Sequence, residues 1–157
     1  MKYKIVASKF NEELMKGLID NTIASLIDSG VSDKDIDLIR VPGAYEIPQA
    51  INFIQKVSLS ATIDAKIPSV QRVYIALGVV IDGETNHAQM IIDSTGKSLL
   101  EISANHGFFI INEIVGAPSY EVAKARCIGQ EETRGWYAGK AAVEIAYEMK
   151  QFVKKNL

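Results

Sequence analysis

The sequence predicts an α/β domain, a three-layer α/β/α sandwich around a central four-stranded parallel sheet. Three observations predict it. Strand-like and helix-like hydrophobic patterns alternate four times along the chain. The third strand pattern, RVYIALGVVI, is aliphatic on both faces, as expected of a strand buried at the centre of a parallel sheet. A chain of 157 residues has the length of one ordinary domain, enough to bury a core without staples. The expected unit is therefore a single domain spanning residues 1–157.

The elements follow in order. KYKIVAS (residues 2–8) alternates as a strand, and the next stretch carries Leu14, Leu18, Ile19, Ile23, Leu26 and Ile27 at helical spacing. Gly30 stands where a helix terminates on a glycine. DIDLIRV is the second strand, and VPGAYEIP leads from it into a short helix, QAINFIQKV. Ser58 to Gln71, with weak periodicity and Pro68, reads as a surface connection. After the third strand and DGETN comes a helix from about His87 to Ala104, ended by NHG. FFIINEIV is the fourth strand. Two helical segments close the pattern, SYEVAKARCI and a longer one from about Glu131 onward.

Composition excludes several classes of function. The formal net charge is −2, from 17 basic and 19 acidic residues, with no basic stripe to track a phosphate polymer, so nucleic acid is not an expected partner. The hydrophobic fraction of 48% contains no apolar run approaching a membrane span, so no membrane partner is expected either. A lone cysteine, Cys127, and an amino terminus that enters a strand pattern directly give an expectation of the cytoplasm. Cys127 reads as an inert buried thiol.

Parallel sheets bind ligands at the carboxyl ends of their strands. Those ends carry SKFN (residues 8–11), VPGAYEIP (41–48), DGETNH (82–87) and EIVGAPS (113–119). Of two histidines, His87 falls on that rim, whereas His106 precedes the fourth strand and falls on the opposite one. The two cannot share an ion, and no metal site is expected.

With Thr85 as N-cap of the third helix, its hydroxyl and the first-turn amides form a place for a phosphate. The helix dipole favours a neutral imidazole at His87, one able to relay a proton. The plain alternative is a capped helix with an exposed histidine. Gly43 and Ala44 admit a ligand to the backbone, and Glu46 can accept hydrogen bonds from a polyol, or the stretch is simply a turn and helix start. Phe10 is either core or a platform for a flat heterocycle. Arg126 and Arg134, eight residues apart, are either solvated charges or an anion clamp. Trp136 and Tyr137 read as packing or subunit contacts.

Taken together, SKFN, VPGAYEIP, ALGVVIDGETNH and an AR followed eight residues later by RG resemble the 6,7-dimethyl-8-ribityllumazine synthase family, in order and over nearly the whole chain. The resemblance implies a flavodoxin-like fold and a condensation, without any cofactor, of 5-amino-6-(D-ribitylamino)uracil with 3,4-dihydroxy-2-butanone 4-phosphate. It implies that Phe10 stacks on the pyrimidine and that Ala44, Tyr45 and Glu46 hold the ribityl chain and ring edge. The backbone of Val79, Val80 and Ile81 would read the heterocycle's polar edge, Glu84 and Thr85 would face the phosphate substrate, and His87 would transfer protons. It further implies a pocket between adjacent subunits of a homopentamer, with Asn112, Arg126 and Arg134 supplied by the neighbour and Arg126 gripping phosphate.

Some positions differ from the family pattern. Asn112 replaces a common phenylalanine, Asp82 a residue often basic, and RCIGQEETRG a linker rich in glycine and lysine. The short amino-terminal arm and altered linker favour a pentamer or decamer over a sixty-subunit capsid. Two other readings compete with the synthase. One is a non-catalytic flavin- or lumazine-binding assembly. The other is a doubly wound domain for another phosphorylated ligand, such as an FMN electron carrier.

Overall fold

The computed structural model describes residues 1–60, 72–83, 85–129 and 131–156, without the side chains of residues 59 and 60. Among these residues the elements run β1 (Lys2–Ser8), α1 (Glu12–Asp28), β2 (Ile36–Val41), α2 (Ile47–Ser60), β3 (Arg72–Ile81), α3 (His87–His106), β4 (Phe109–Ala117), α4 (Tyr120–Cys127) and α5 (Arg134–Asn156). Single 3-10 turns occupy Asp33–Asp35 and Ala44–Glu46. The strands form one parallel sheet in the order β2-β1-β3-β4. This is the predicted α/β sandwich.

Strands β1 and β3 have the expected bounds, and the other differences are local. Helix α2 begins at Ile47, two residues before its expected start, because the Ala44–Glu46 turn runs straight into it. Pro48 lies in its first turn, where a missing amide proton costs no helical bond. The expected connection from Ser58 is helical through Ser60, and its remainder lies outside the described residues. Strand β4 runs to Ala117, and α5 begins at Arg134 after a turn. Gly30 does terminate α1: at φ 86° it lets its own amide reach Ile27 and that of Val31 reach Leu26, the two bonds of a Schellman ending.

Period-two alternation divides the core into two layers. Ile5, Ala7, Val73, Ile75, Leu77, Val79, Val115 and Ala117 face α1, α4 and α5. Val6, Tyr74, Ala76 and Val80 face α2 and α3 with Ile47, Ile51, Leu99 and Phe108. Helices α1 and α5 approach closely because Gly135 and Gly139 present no side chain. A Cβ on Gly135 would lie 2.3 Å from the Leu18 carbonyl oxygen, and one on Gly139 would lie 2.6 Å from Ser25 Oγ. Their closeness lets Ser25 Oγ donate to the Trp136 carbonyl at 2.7 Å.

Candidate active site

Strand order puts a switch point between β1 and β3, because the chain leaves β1 towards β2 on one side and returns beyond β1 to form β3 on the other. A crevice opens outside the strand ends at such a point. Here it holds a cavity of about 400 Å³ lined by Phe10, Asn11, residues 43–46, residues 79–81, Gly83, Thr85, His87, Ala88 and Ile91. Nine predicted site residues, Phe10, Ala44, Tyr45, Glu46, Val79, Val80, Ile81, Thr85 and His87, therefore meet around one space. Glu84 lies outside the described residues.

Phe10 is 70% exposed although it belongs to a tightly tied loop. The Lys9 amide donates to the Val41 carbonyl at 2.8 Å, and the Phe10 amide donates to Ser8 Oγ at 3.0 Å. Arg40 donates to the Ser8 carbonyl at 2.9 Å and grips Glu12 through both guanidinium ends. That hydrogen bond from Arg40 holds the Glu12 carboxyl below its ordinary range. Asn11 turns the chain into α1 at φ 59°, a left-handed conformation that asparagine adopts more readily than most residues. Its side-chain amide donates 3.1 Å to the Val79 carbonyl, fastening the Phe10 loop to β3. The Val79 carbonyl, expected to read a heterocycle edge, is thus already engaged by Asn11.

The second wall comes from the end of β2. Gly43 is extended, Ala44 is buried, and Tyr45 projects, 51% exposed. Gly78 allows Ala44 to sit against β3, since a Cβ there would come within 3.3 Å of Ala44 Cβ. The third wall is the start of α3. Asn86 occupies the cap position, one residue later than expected, without a side-chain cap bond. Thr85 contributes its hydroxyl all the same, accepting a long 3.4 Å contact from the His87 amide. His87 is exposed at the cavity edge, whereas His106 ends α3 and stacks on Phe108 with ring centres 6.4 Å apart. The predicted separation of the two histidines holds.

Asn112, Arg126 and Arg134 are not among the cavity residues. Asn112 is exposed on β4, its Oδ1 accepting from the Ile114 amide at 3.1 Å. Arg126 is exposed in the last turn of α4 and, among the described residues, makes no ion pair. Arg134 opens α5 and is held side-on by Glu113: Nε donates to Oε2 at 2.8 Å and Nη2 to Oε1 at 2.7 Å. Burial pushes the Glu113 carboxyl above its ordinary range, against the pull of Arg134. Cys127 lies beneath, fully buried, its thiol pushed up to about 11 by burial and by Glu113.

Sequence reasoning missed Asn11 and Glu113. The left-handed turn at Asn11 left only a weak signal, an asparagine directly before a helix. Glu113 left a clearer one, a carboxylate inside an apolar strand.

Comparison with known proteins points to one family. Residues 1–150 match the family model described as 6,7-dimethyl-8-ribityllumazine synthase. A protein of that name from Paraburkholderia phytofirmans is 36% identical over 146 residues, covering 93% of this chain and 78% of its own. One from Xanthomonas campestris is 31% identical over 144 residues, covering 92% and 86%, and one from Xylella fastidiosa is 29% identical with the same coverage. The chain belongs to the 6,7-dimethyl-8-ribityllumazine synthase family.

Proposed function

We propose that this chain is a transferase that catalyses the reaction for which its family is named, the penultimate step of riboflavin biosynthesis. It condenses 5-amino-6-(D-ribitylamino)uracil with 3,4-dihydroxy-2-butanone 4-phosphate. The observation that carries this reading is the convergence of an exposed aromatic ring, a polar turn, a strand-end backbone and one histidine on a single cavity at the switch point of the sheet.

The uracil amine adds to the ketone and loses water to form an imine. Proton removal next to that centre expels phosphate, and the ribitylamino nitrogen then closes the ring with loss of a second water. Phe10 stacks on the pyrimidine, and Ala44, Tyr45 and Glu46 hold the ribityl chain and ring edge. The backbone of Val79, Val80 and Ile81 at the end of β3 reads the heterocycle's polar edge. Glu84 and Thr85 face the phosphate substrate, and His87 moves protons. Holding two substrates in register supplies much of the rate, and acid–base work adds to it.

The same chain acts as one domain, residues 1–157, in a cytoplasmic homo-oligomer, a pentamer or decamer. Asn112, Arg126 and Arg134 come from the adjacent subunit. Their position outside the cavity of their own chain supports that arrangement, as do the exposed rings of Phe10 and Tyr45.

The test is to mix the purified protein with both substrates and follow lumazine absorbance, with the His87→Ala protein alongside. Turnover above the uncatalysed condensation, reduced in the variant, is the expected result. A correctly assembled protein that binds lumazine without accelerating its formation would instead be a binding assembly.

A further inference from the structure

The Glu113–Arg134 pair is built differently from a surface ion pair. Only 10% of the Glu113 side chain is exposed, against 46% of that of Arg134. The carboxylate sits on the face of β4 that carries Ile111 and Val115 towards α1, α4 and α5, an apolar layer that charges ordinarily avoid. Arg134 opens α5, where the helix dipole disfavours a cation. Neither placement is comfortable alone. A buried pair of this kind is also weak evidence for a stabilising role, since desolvation offsets much of its attraction.

Its geometry is informative about binding. Glu113 takes the Nε and Nη2 edge of the guanidinium, so both protons of Nη1 and the outer proton of Nη2 remain to be donated. Those protons lie on the exposed side of the pair, because the carboxylate occupies the buried side. The counter-charge at 2.7 Å leaves the pair close to neutral as seen by a ligand. Arg126, exposed in the last turn of α4, has no such counter-ion among the described residues. Two arginines near the same chain turn therefore differ in kind: one is a free cation, the other an oriented donor with its charge already matched.

We propose that Glu113 is a positioning residue that fixes the ligand preference of Arg134: the matched guanidinium donates to an uncharged oxygen of the ribitylaminouracil substrate, leaving the phosphate to Arg126. The inference rests on the proposed function, in which both arginines reach the site of the adjacent subunit. It divides their work by charge.

The test is a split between Michaelis constants. Glu113→Gln removes the counter-charge and keeps the side-chain volume. The Michaelis constant for the uracil is expected to rise about 3- to 10-fold, the scale of one positioned hydrogen bond. Inhibition by inorganic phosphate is expected to tighten about 2- to 5-fold, because Arg134 becomes an unmatched cation. Opposite signs are the signature, and Glu113→Asp should fall between the variant and the parent in both. Arg134→Lys, which keeps the charge but cannot offer two edges at once, should weaken uracil and leave phosphate inhibition near its starting value. A Glu113→Gln protein in which both ligands weaken equally would overturn the proposal in favour of a structural pair. So would an Arg134→Lys protein that loses phosphate affinity as strongly as Arg126→Ala. If Arg134→Ala changes neither constant, the placement of Arg134 at the site fails instead. If the parent protein has no turnover, the proposed function itself fails.

Discussion

Two regions share the carboxyl-end rim of one sheet and are built on opposite principles. At the β1–β3 switch point, polar groups are spent on shaping the backbone: Asn11 fastens the loop to Val79, and Ser8 and Arg40 brace it. What remains facing the cavity is an aromatic ring, a polar turn and an exposed histidine. At the β4–α4–α5 edge the pattern reverses, with a buried carboxylate, a matched arginine and an exposed arginine that has no counter-ion among the described residues, above a buried thiol. Under the proposed function, the first region receives a flat ring and moves protons, and the second holds anions and oxygens. They occupy opposite faces of the sheet, α3 on one and α4 with α5 on the other. The lesson is that the predicted site residues fall into two groups on one chain, and the proposed function needs a second copy to bring them together.

The largest expected effect tests the first half. His87→Ala should slow turnover by roughly 10- to 1000-fold without unfolding the protein, around the range for losing a general acid or base. Unchanged turnover in a folded variant would remove His87 from the mechanism. Arg126→Ala tests the second half: the Michaelis constant for the butanone phosphate should rise far more than that for the uracil, and equal effects would refute the clamp. Mixing the two variants by joint unfolding and reassembly tests the comparison itself. In a ring where each site draws on two neighbours, about one quarter of randomly mixed sites regain both groups. Recovery towards that fraction is expected, whereas no recovery would place His87 and Arg126 at the same chain's site.

Much of the cavity was legible in the sequence because the order of strands and helices already marks the strand ends as the ligand rim. Phe10, residues 44–46, residues 79–81, Thr85 and His87 all lie at junctions between a readable strand and a readable helix. The edge region was less legible for two physical reasons. The start of α5 follows Gly129 at φ 142° and a turn, features that residue composition alone does not separate from a helix start at Glu131. The partner of Glu113 stands 21 residues further on, and only the docking of α5 beside β4 reveals it. Asn11 left little trace because its contribution is a dihedral angle and one bond to a distant strand, neither of which a residue type encodes.

A smaller effect separates support from chemistry. Gly135→Ala should destabilise the protein by about 1–3 kcal/mol, the usual cost of forcing a methyl group into a filled contact. The reason is the Leu18 carbonyl, 2.3 Å from where that Cβ would stand. Urea unfolding measures the loss, and a neutral result would mean that α1 and α5 separate easily. Thiol reagents should likewise label Cys127 only on unfolding, since it is fully buried and its thiol is pushed up to about 11. Rapid labelling of the folded protein would show that α4 opens.

The smallest effect asks what the buried carboxylate of the edge region costs. Burial raises the Glu113 carboxyl above its ordinary range, outweighing the hydrogen bond and charge of Arg134. A folded state with a raised carboxyl binds its proton more tightly than the unfolded chain, so this group's contribution to stability is fully present below the ordinary carboxyl range. It is lost as pH rises through the raised value. Glu113→Gln has no such proton. The stability of the parent protein relative to that variant should therefore fall as pH rises from the ordinary carboxyl range towards neutrality, read from urea midpoints at several pH values. The opposite slope would mean that Arg134 attracts the carboxylate more strongly than burial penalises it. The pair would then hold the fold together, and the edge could no longer be set against the cavity as a surface shaped for a ligand at the expense of stability.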